Sequence, residues 1–321
     1  MSDITFKHHD PNVMLELWHV TKRFGGLTAV GDVSFKIKKG EIYALIGPNG
    51  AGKTTAFNVI TGVYQPTNGR VAFLDGTIIR NHPQGKMKKS YKGKHGGMYT
   101  AEYAPEEALS GEALSAWREG EKARDAHAFS AHVLAPTPDE ITKLGMARTF
   151  QNIRLFKELS VIDNVKVGLH ESMKYNLASS LLRLPNYWKE EKKCTERALE
   201  LLDIFHMADL ANVQAGSLPY GAQRRLEIMR ALATSPKLLL LDEPAAGMNP
   251  SETAELTETI RRIRDEFNIA VLLIEHDMSL VMGICEGIAV LNFGRIIAKG
   301  TPDEIRNNPQ VIEAYLGKKE G

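Results

Sequence analysis

Nine consecutive residues, Gly47 to Thr55, read GPNGAGKTT and fit the phosphate-loop spacing of glycines, a lysine and a hydroxyl residue. Gly47, Gly50 and Gly52 let successive backbone N–H groups turn toward an anion with no Cβ in the way, and Pro48, Asn49 and Ala51 complete the loop. Lys53 supplies a point charge for the β- and γ-phosphates. The Thr54 hydroxyl suits Mg2+, and Thr55 follows it into a helix whose N-terminal dipole favours the same anion. A second stretch, LLLLDEP at 238–244, supplies the complement. An apolar strand would carry Asp242 and Glu243 to its carboxyl end, where open α/β sheets place ligands. Asp242 suits Mg2+, directly or through water, and Glu243 is placed to accept a proton from an attacking water. An acidic pair in that position can also merely cap the next helix; beside a phosphate loop the chemical reading is the stronger one.

The elements that must position these residues follow from the pattern around them. Residues 13–46 contain short apolar or alternating runs, MLELWHV, VSFKI and IYALIG, separated by glycine-rich turns, and read as strands. A helix is expected from Gly52 to about Ile60, then a strand pair near GRVAFLDGTII. Residues 155–235 read mainly as helix. Beyond Pro236 come a strand at 238–241, a helix at about 251–266, a strand at 269–274 and a helix at about 278–285. The strand pair GIAVLNFGRIIAKG and a short helix after Pro302 close the chain. Strand–helix alternation around a strand-borne glycine loop predicts a parallel α/β core, with 155–235 as an inserted helical subdomain.

Composition sets the outer bounds. A chain of 321 residues that is 43% hydrophobic buries a sizeable core. A net charge of +1 gives no global field for nucleic acid. Two cysteines, Cys194 and Cys285, stand in no metal or CxxC spacing, which suits a reducing cytoplasm. The opening MSDITFKHHDPN has no apolar core for a signal peptide. The longest apolar runs are strand-length and far short of a bilayer span. The expectation is a soluble or peripheral protein that does not cross a membrane by itself.

The order of these motifs resembles the ATP-binding cassette of ABC transporters, over nearly the whole chain except about 81–138. The resemblance implies one ABC ATP-binding domain over 1–321. It would have a P-loop NTPase core, an antiparallel β subdomain, a helical subdomain over 155–235 and a C-terminal helix and tail over 302–321. It also implies further roles. Phe24, in KRFGG, matches the aromatic that stacks on adenine. Gln151, in RTFQNIRLF, matches the glutamine that touches the metal and relays movement to the membrane subunit. AAGMNP at 245–250 matches the loop crossing the dimer interface, and His276, in LLIEHDM, matches the switch histidine near the γ-phosphate. A lone histidine after an apolar strand is more often structural, but its spacing after Glu243 favours the switch role. The cofactors implied are ATP and Mg2+.

Residues 216–232, GSLPYGAQRRLEIMRAL, resemble the family's signature loop and helix, with Pro219 where a serine usually stands. Leu226, Ile228, Met229 and Leu232 fall near helical spacing, with Arg224, Arg225, Glu227 and Arg230 between them, and the helix is expected to begin near Gln223. Pro219 offers neither a hydroxyl nor an N–H. In this family the signature of one cassette closes over the γ-phosphate held by the other. Loss of the serine therefore implies two unequal ATP sites and a second, non-identical ATPase subunit, with a homodimer as the alternative. The stretches EPAAGMNP, IEHDMSLVMGI and GTPDEIRNNPQVIEAYLG most resemble the ATPase subunits of branched-chain amino acid importers. This implies transmembrane permease subunits as partners, a periplasmic solute-binding protein acting indirectly, and a peripheral place on the cytoplasmic face of the inner membrane.

Residues 81–138 depart from the family pattern. KMKKSYKGKHGG is polycationic, and APEEALSGEALSAWREGEKARDAHAFSAHVLAP is alanine- and charge-rich and reads as helix. The five lysines between Lys86 and Lys94 suit either anionic lipid headgroups or, more readily, plain solvent. His82, His95, His127 and His132 are too scattered to argue a metal site. Rival functions are a soluble ABC ATPase without a transporter, an importer for another small polar solute, and a non-catalytic nucleotide-binding regulator. Lys53, Asp242, Glu243 and His276 argue against the last.

Overall fold

A computed structural model of the chain describes residues 10–74, 77–81, 137–170 and 185–316. The charged segment, its lysines and histidines, and the last five residues of the tail lie outside them. The described residues fall into two compact units, those within Met1–Ile141 and Cys285–Gly321 and those within Thr142–Ile284.

In the first unit, β1 (Val13–Phe24), β2 (Leu27–Lys38), β4 (Asn68–Phe73) and β5 (Thr77–Asn81) form an antiparallel sheet in the order β2-β1-β4-β5. β1 and β2 are longer than their sequence runs suggest. Register shifts interrupt their pairing, and His19 and Asp32 take left-handed backbone angles, φ 49° and 59°. Such bulges hide a continuous strand from a period-2 reading. β3 (Ile42–Ile46) runs parallel to β9 (Gly287–Asn292), which pairs antiparallel with β10 (Arg295–Gly300). α1 (Lys53–Ile60) follows β3, and α8 (Pro302–Arg306) and α9 (Pro309–Leu316) follow β10. The single short helix expected after Pro302 is thus two, because Pro309 cannot continue a helix but starts one well.

In the second unit, β6 (Met146–Arg148), β7 (Leu238–Asp242) and β8 (Ala270–Ile274) pair in parallel, with Leu240 between Arg148 and Leu272. β7 and β8 are buried at every position, as apolar runs covered on both faces must be. α2 (Pro138–Lys143), which begins in the first unit's residues, precedes β6. Between β6 and β7 come α3 (Val161–Leu169), α4 (Pro185–Ile204) and α5 (Tyr220–Ala233), all inside the stretch read as helical. α5 begins at Tyr220, three residues earlier than expected, with Gly221 in its first turn and Pro219 at the N-cap. α6 (Pro250–Phe267) opens on a capping box between Asn249 and Glu252 with Pro250 in its first turn, and left-handed Asn268 ends it. α7 (Met278–Ile284) follows β8. No helix among the described residues is long and apolar enough to cross a membrane.

Candidate nucleotide site

Phe24 and the phosphate loop lie in the first unit. β3 delivers the loop, and Gly47 leaves it at φ 149°, where a Cβ would stand 2.1 Å from the Leu291 carbonyl oxygen of β9. Gly52, at φ 101°, would place one 2.3 Å from the Ala29 oxygen of β2. Both glycines are therefore demanded by backbone packing as well as by torsion. Gly294 N–H donates to the Ala51 carbonyl at 2.9 Å and pins the loop's middle. Lys53 is buried, with Nζ donating to the Gly47 and Pro48 carbonyls at 2.6 and 3.0 Å. Thr54 is exposed and Thr55 half-buried, while Asn49 and Gly50 form the exposed crest.

The start of α1 fits an anion. Its N-cap, Gly52, makes no side-chain cap bond, and its first turn holds no acidic residue, so no carboxylate of that turn offsets its positive end. Phe24 ends β1 at 42% exposure. Tyr64 meets its ring edge-on at 5.1 Å, and Lys22 Nζ lies 4.9 Å from its centroid. From α9, Tyr315 reaches the loop: burial pushes its hydroxyl pKa up, opposed by a hydrogen bond from the Gly47 backbone.

Gln151, Asp242, Glu243 and His276 lie in the second unit, and three of them converge. Glu243 follows β7 in a left-handed conformation, φ 49°, with its N–H donating to Ile274 O at 2.8 Å. His276 Nε2 lies 2.8 Å from Glu243 Oε1, and Gln151 Nε2 donates to Glu243 Oε2 at 3.0 Å. Asp242 is 1% exposed and faces elsewhere, its Oδ2 accepting from Arg148 Nη2 at 2.9 Å. Gln151 thus touches the glutamate rather than Asp242. In the stretch 245–250, Ala245 N–H donates to buried Glu275 at 2.7 Å, and Asn249 caps α6.

Four residues of this site were not singled out from sequence: Arg148, Arg224, Glu227 and Glu275. Glu275 accepts from the N–H groups of Ala245, His276 and Asp277, and burial raises its carboxyl pKa. Its only sequence signal is its place beside His276 at the end of an apolar strand. Arg148 follows the two apolar residues of a three-residue strand too short to recognise by pattern. Arg224 and Glu227 look like the polar face of an amphipathic helix, yet both are buried.

A loop whose glycines are held by neighbouring backbone, opening an acid-free helix end, is built for a phosphate chain. A carboxylate flanked by an imidazole and an amide has the chemistry to accept a proton. Together they define a P-loop protein of the nucleotide-hydrolysing class.

Comparison with known proteins makes the assignment specific. The ABC transporter family matches residues 30–246, and the branched-chain amino acid ATP-binding cassette transporter family matches residues 295–320. The chain is 42% identical over 296 residues to LivG of Salmonella typhimurium, a high-affinity branched-chain amino acid transport ATP-binding protein, covering 92% of this chain and 94% of that one. It is 40% identical over 305 residues to BraF of Pseudomonas aeruginosa, which bears the same description, covering 95% and 98%. In structure it resembles the ADP conformation of MJ1267, an ATP-binding cassette of an ABC transporter, with a TM-score of 0.68 and 26% identity over 95% of this chain and 99% of that one. The chain belongs to the ABC transporter family, as one of its ATP-binding proteins. Its fold is that of the ABC ATPase, and it is a nucleotide-binding ATPase.

Proposed function

We propose that the chain is the ATP-hydrolysing subunit of an importer for branched-chain amino acids. The observation that carries the catalytic part is the Glu243 carboxylate, held by His276 and Gln151 at the left-handed end of β7. Gly47 to Thr55 hold the phosphates, with Lys53 on the β- and γ-groups, and Phe24 offers a ring face to adenine. Thr54, Asp242 and Gln151 would hold Mg2+, which supplies charge neutralisation to the triphosphate. Glu243 accepts the proton of the attacking water as its oxygen bonds to the γ-phosphorus and the β–γ bridge breaks, releasing ADP. His276 stands beside that carboxylate to steady the terminal phosphate.

The cargo rests on the 42% identity to LivG over nearly the length of both chains. The whole chain is read as one ABC ATP-binding domain, with 155–235 as its helical subdomain and 81–138 as a peripheral addition. It works with transmembrane permease subunits and a second ATPase subunit on the cytoplasmic face of the membrane, and with a periplasmic binding protein at one remove. The test is assembly with the neighbouring permease in lipid. ATP turnover should rise with binding protein loaded with leucine, isoleucine or valine and not with an unrelated solute. Turnover indifferent to every loaded binding protein would favour a transporter-free ATPase.

A further inference from the structure

Beneath the Glu243 cluster lies an ion pair that none of the motifs accounts for. Arg224 and Glu227 stand one turn apart on α5, with side chains 0% and 2% exposed, and Arg224 Nη1 lies 2.6 Å from Glu227 Oε2. A guanidinium carries its N–H donors in a rigid fork, and beyond Glu227 the two terminal nitrogens of this one donate to backbone carbonyls. Nη2 donates to the carbonyls of Asp242 and Glu243, each at 2.8 Å, and Nη1 to the carbonyl of Phe150 at 2.5 Å. Glu227 reads the same segment from the other side, its Oε1 facing the N–H groups of Phe150 at 3.5 Å and Arg154 at 3.3 Å. One pair on the signature helix therefore grips the backbone of the acidic dipeptide and that of the segment bearing Gln151.

The grip falls where the backbone needs it. Glu243 is a non-glycine residue at φ 49°, a conformation that persists when its surroundings over-determine it. Its N–H is fixed by Ile274 O, and its carbonyl by Arg224 and by Ala246 N–H at 3.1 Å. The carboxylate's aim at His276 and Gln151 follows from that conformation. A buried charge with one partner removed is costly, so neither member of the pair is free to leave singly.

We propose that Arg224, balanced by Glu227, is a positioning residue for hydrolysis: it locks the backbone of Asp242, Glu243 and the Gln151 segment to the signature helix as one body. Movement of α5 is thereby passed directly to the base and to the glutamine. The proposal rests on the reading of Glu243 as the base, which Glu243→Gln tests by itself.

The experiment uses the assembled complex and compares Arg224→Lys with the double variant Arg224→Met/Glu227→Met. Lysine keeps the charge against Glu227, but its three donors cannot serve that carboxylate and three carbonyls at once, and the apolar pair removes both charges, a change that buried ion pairs often tolerate. In each variant that folds, kcat should fall about tenfold to a hundredfold while KM for ATP stays within about threefold. Single-turnover hydrolysis in Glu243→Gln should lose little more when Arg224→Lys is added, since both act through one carboxylate. Wild-type kcat in a folded variant overturns the proposal. So does a loss that multiplies fully with that of Glu243→Gln, or one matched by an equal rise in KM.

Discussion

His276 Nε2 and Glu243 Oε1 lie 2.8 Å apart, bringing the ends of β7 and β8 to one carboxylate. Replacing His276 with alanine removes that contact but leaves the phosphate loop untouched. The expected outcome is retained MgATP affinity with turnover reduced about a hundredfold, the range typical of a lost acid–base partner. Isothermal titration and steady-state kinetics on the same preparation check it.

Arg148 gives Asp242 a counter-charge at 2.9 Å, with side-chain exposures of 11% and 2%. Arg148→Met leaves the carboxylate buried without it, which costs on the order of 3 kcal/mol. Mg2+ with nucleotide would restore a positive charge at Asp242, so the variant should gain more thermal stability from MgADP than the wild type does. Equal Mg2+-dependent shifts in melting temperature would show that Asp242 does not meet the metal.

Glu275 makes stability depend on pH. Burial raises its carboxyl pKa in the folded protein, with backbone N–H groups working against the shift and nearby Asp277 adding to it. The folded state therefore holds the proton more tightly than the unfolded chain, and that stabilisation is complete below the unfolded pKa. It is lost as pH climbs from about 4.5 through the raised folded value. Glu275→Gln removes the titration, though its amide NH2 must face one of the three N–H donors. The wild type should thus lose stability relative to the variant as pH rises through that window. Denaturant unfolding at several pH values measures this, and a constant difference would contradict it.

Pro219 caps α5 with no side-chain bond. Serine there would supply a cap worth about 1 kcal/mol and restore a hydroxyl for the partner's γ-phosphate. Pro219→Ser should stabilise the chain and raise, or leave unchanged, turnover at the partner's site, whereas Lys53→Ala should disable this chain's own. Removing one subunit's phosphate-loop lysine at a time separates the two sites. Equal residual rates would end the asymmetry, and a fully active homodimer would end the heterodimer.

What was legible in the sequence was what is contiguous. The phosphate loop, the acidic pair and the buried runs of β7 and β8 each announce themselves within nine residues, because strand burial and loop torsion act locally. α6 shows its start through Pro250 and its capping pair. The sequence sets the start of α5 too late because Gly221 reads as a loop signal, whereas it lies within the helix against Glu252. β6 exists through its pairing with β7 rather than through its own three residues. The burial of Arg224 and Glu227 is hidden from the sequence for a similar reason. Their burial is made acceptable by carbonyls and N–H groups that the fold brings from positions 150–154 and 242–243.

The central claim is that Glu243 is the group that accepts the proton of the attacking water. Its direct test is single-turnover hydrolysis by Glu243→Gln in the assembled complex, with MgATP binding measured alongside. Glutamine keeps the size and much of the hydrogen bonding but cannot take the proton. Binding should therefore stay nearly intact while hydrolysis slows by about a hundredfold or more. Hydrolysis at the wild-type rate would contradict the assignment.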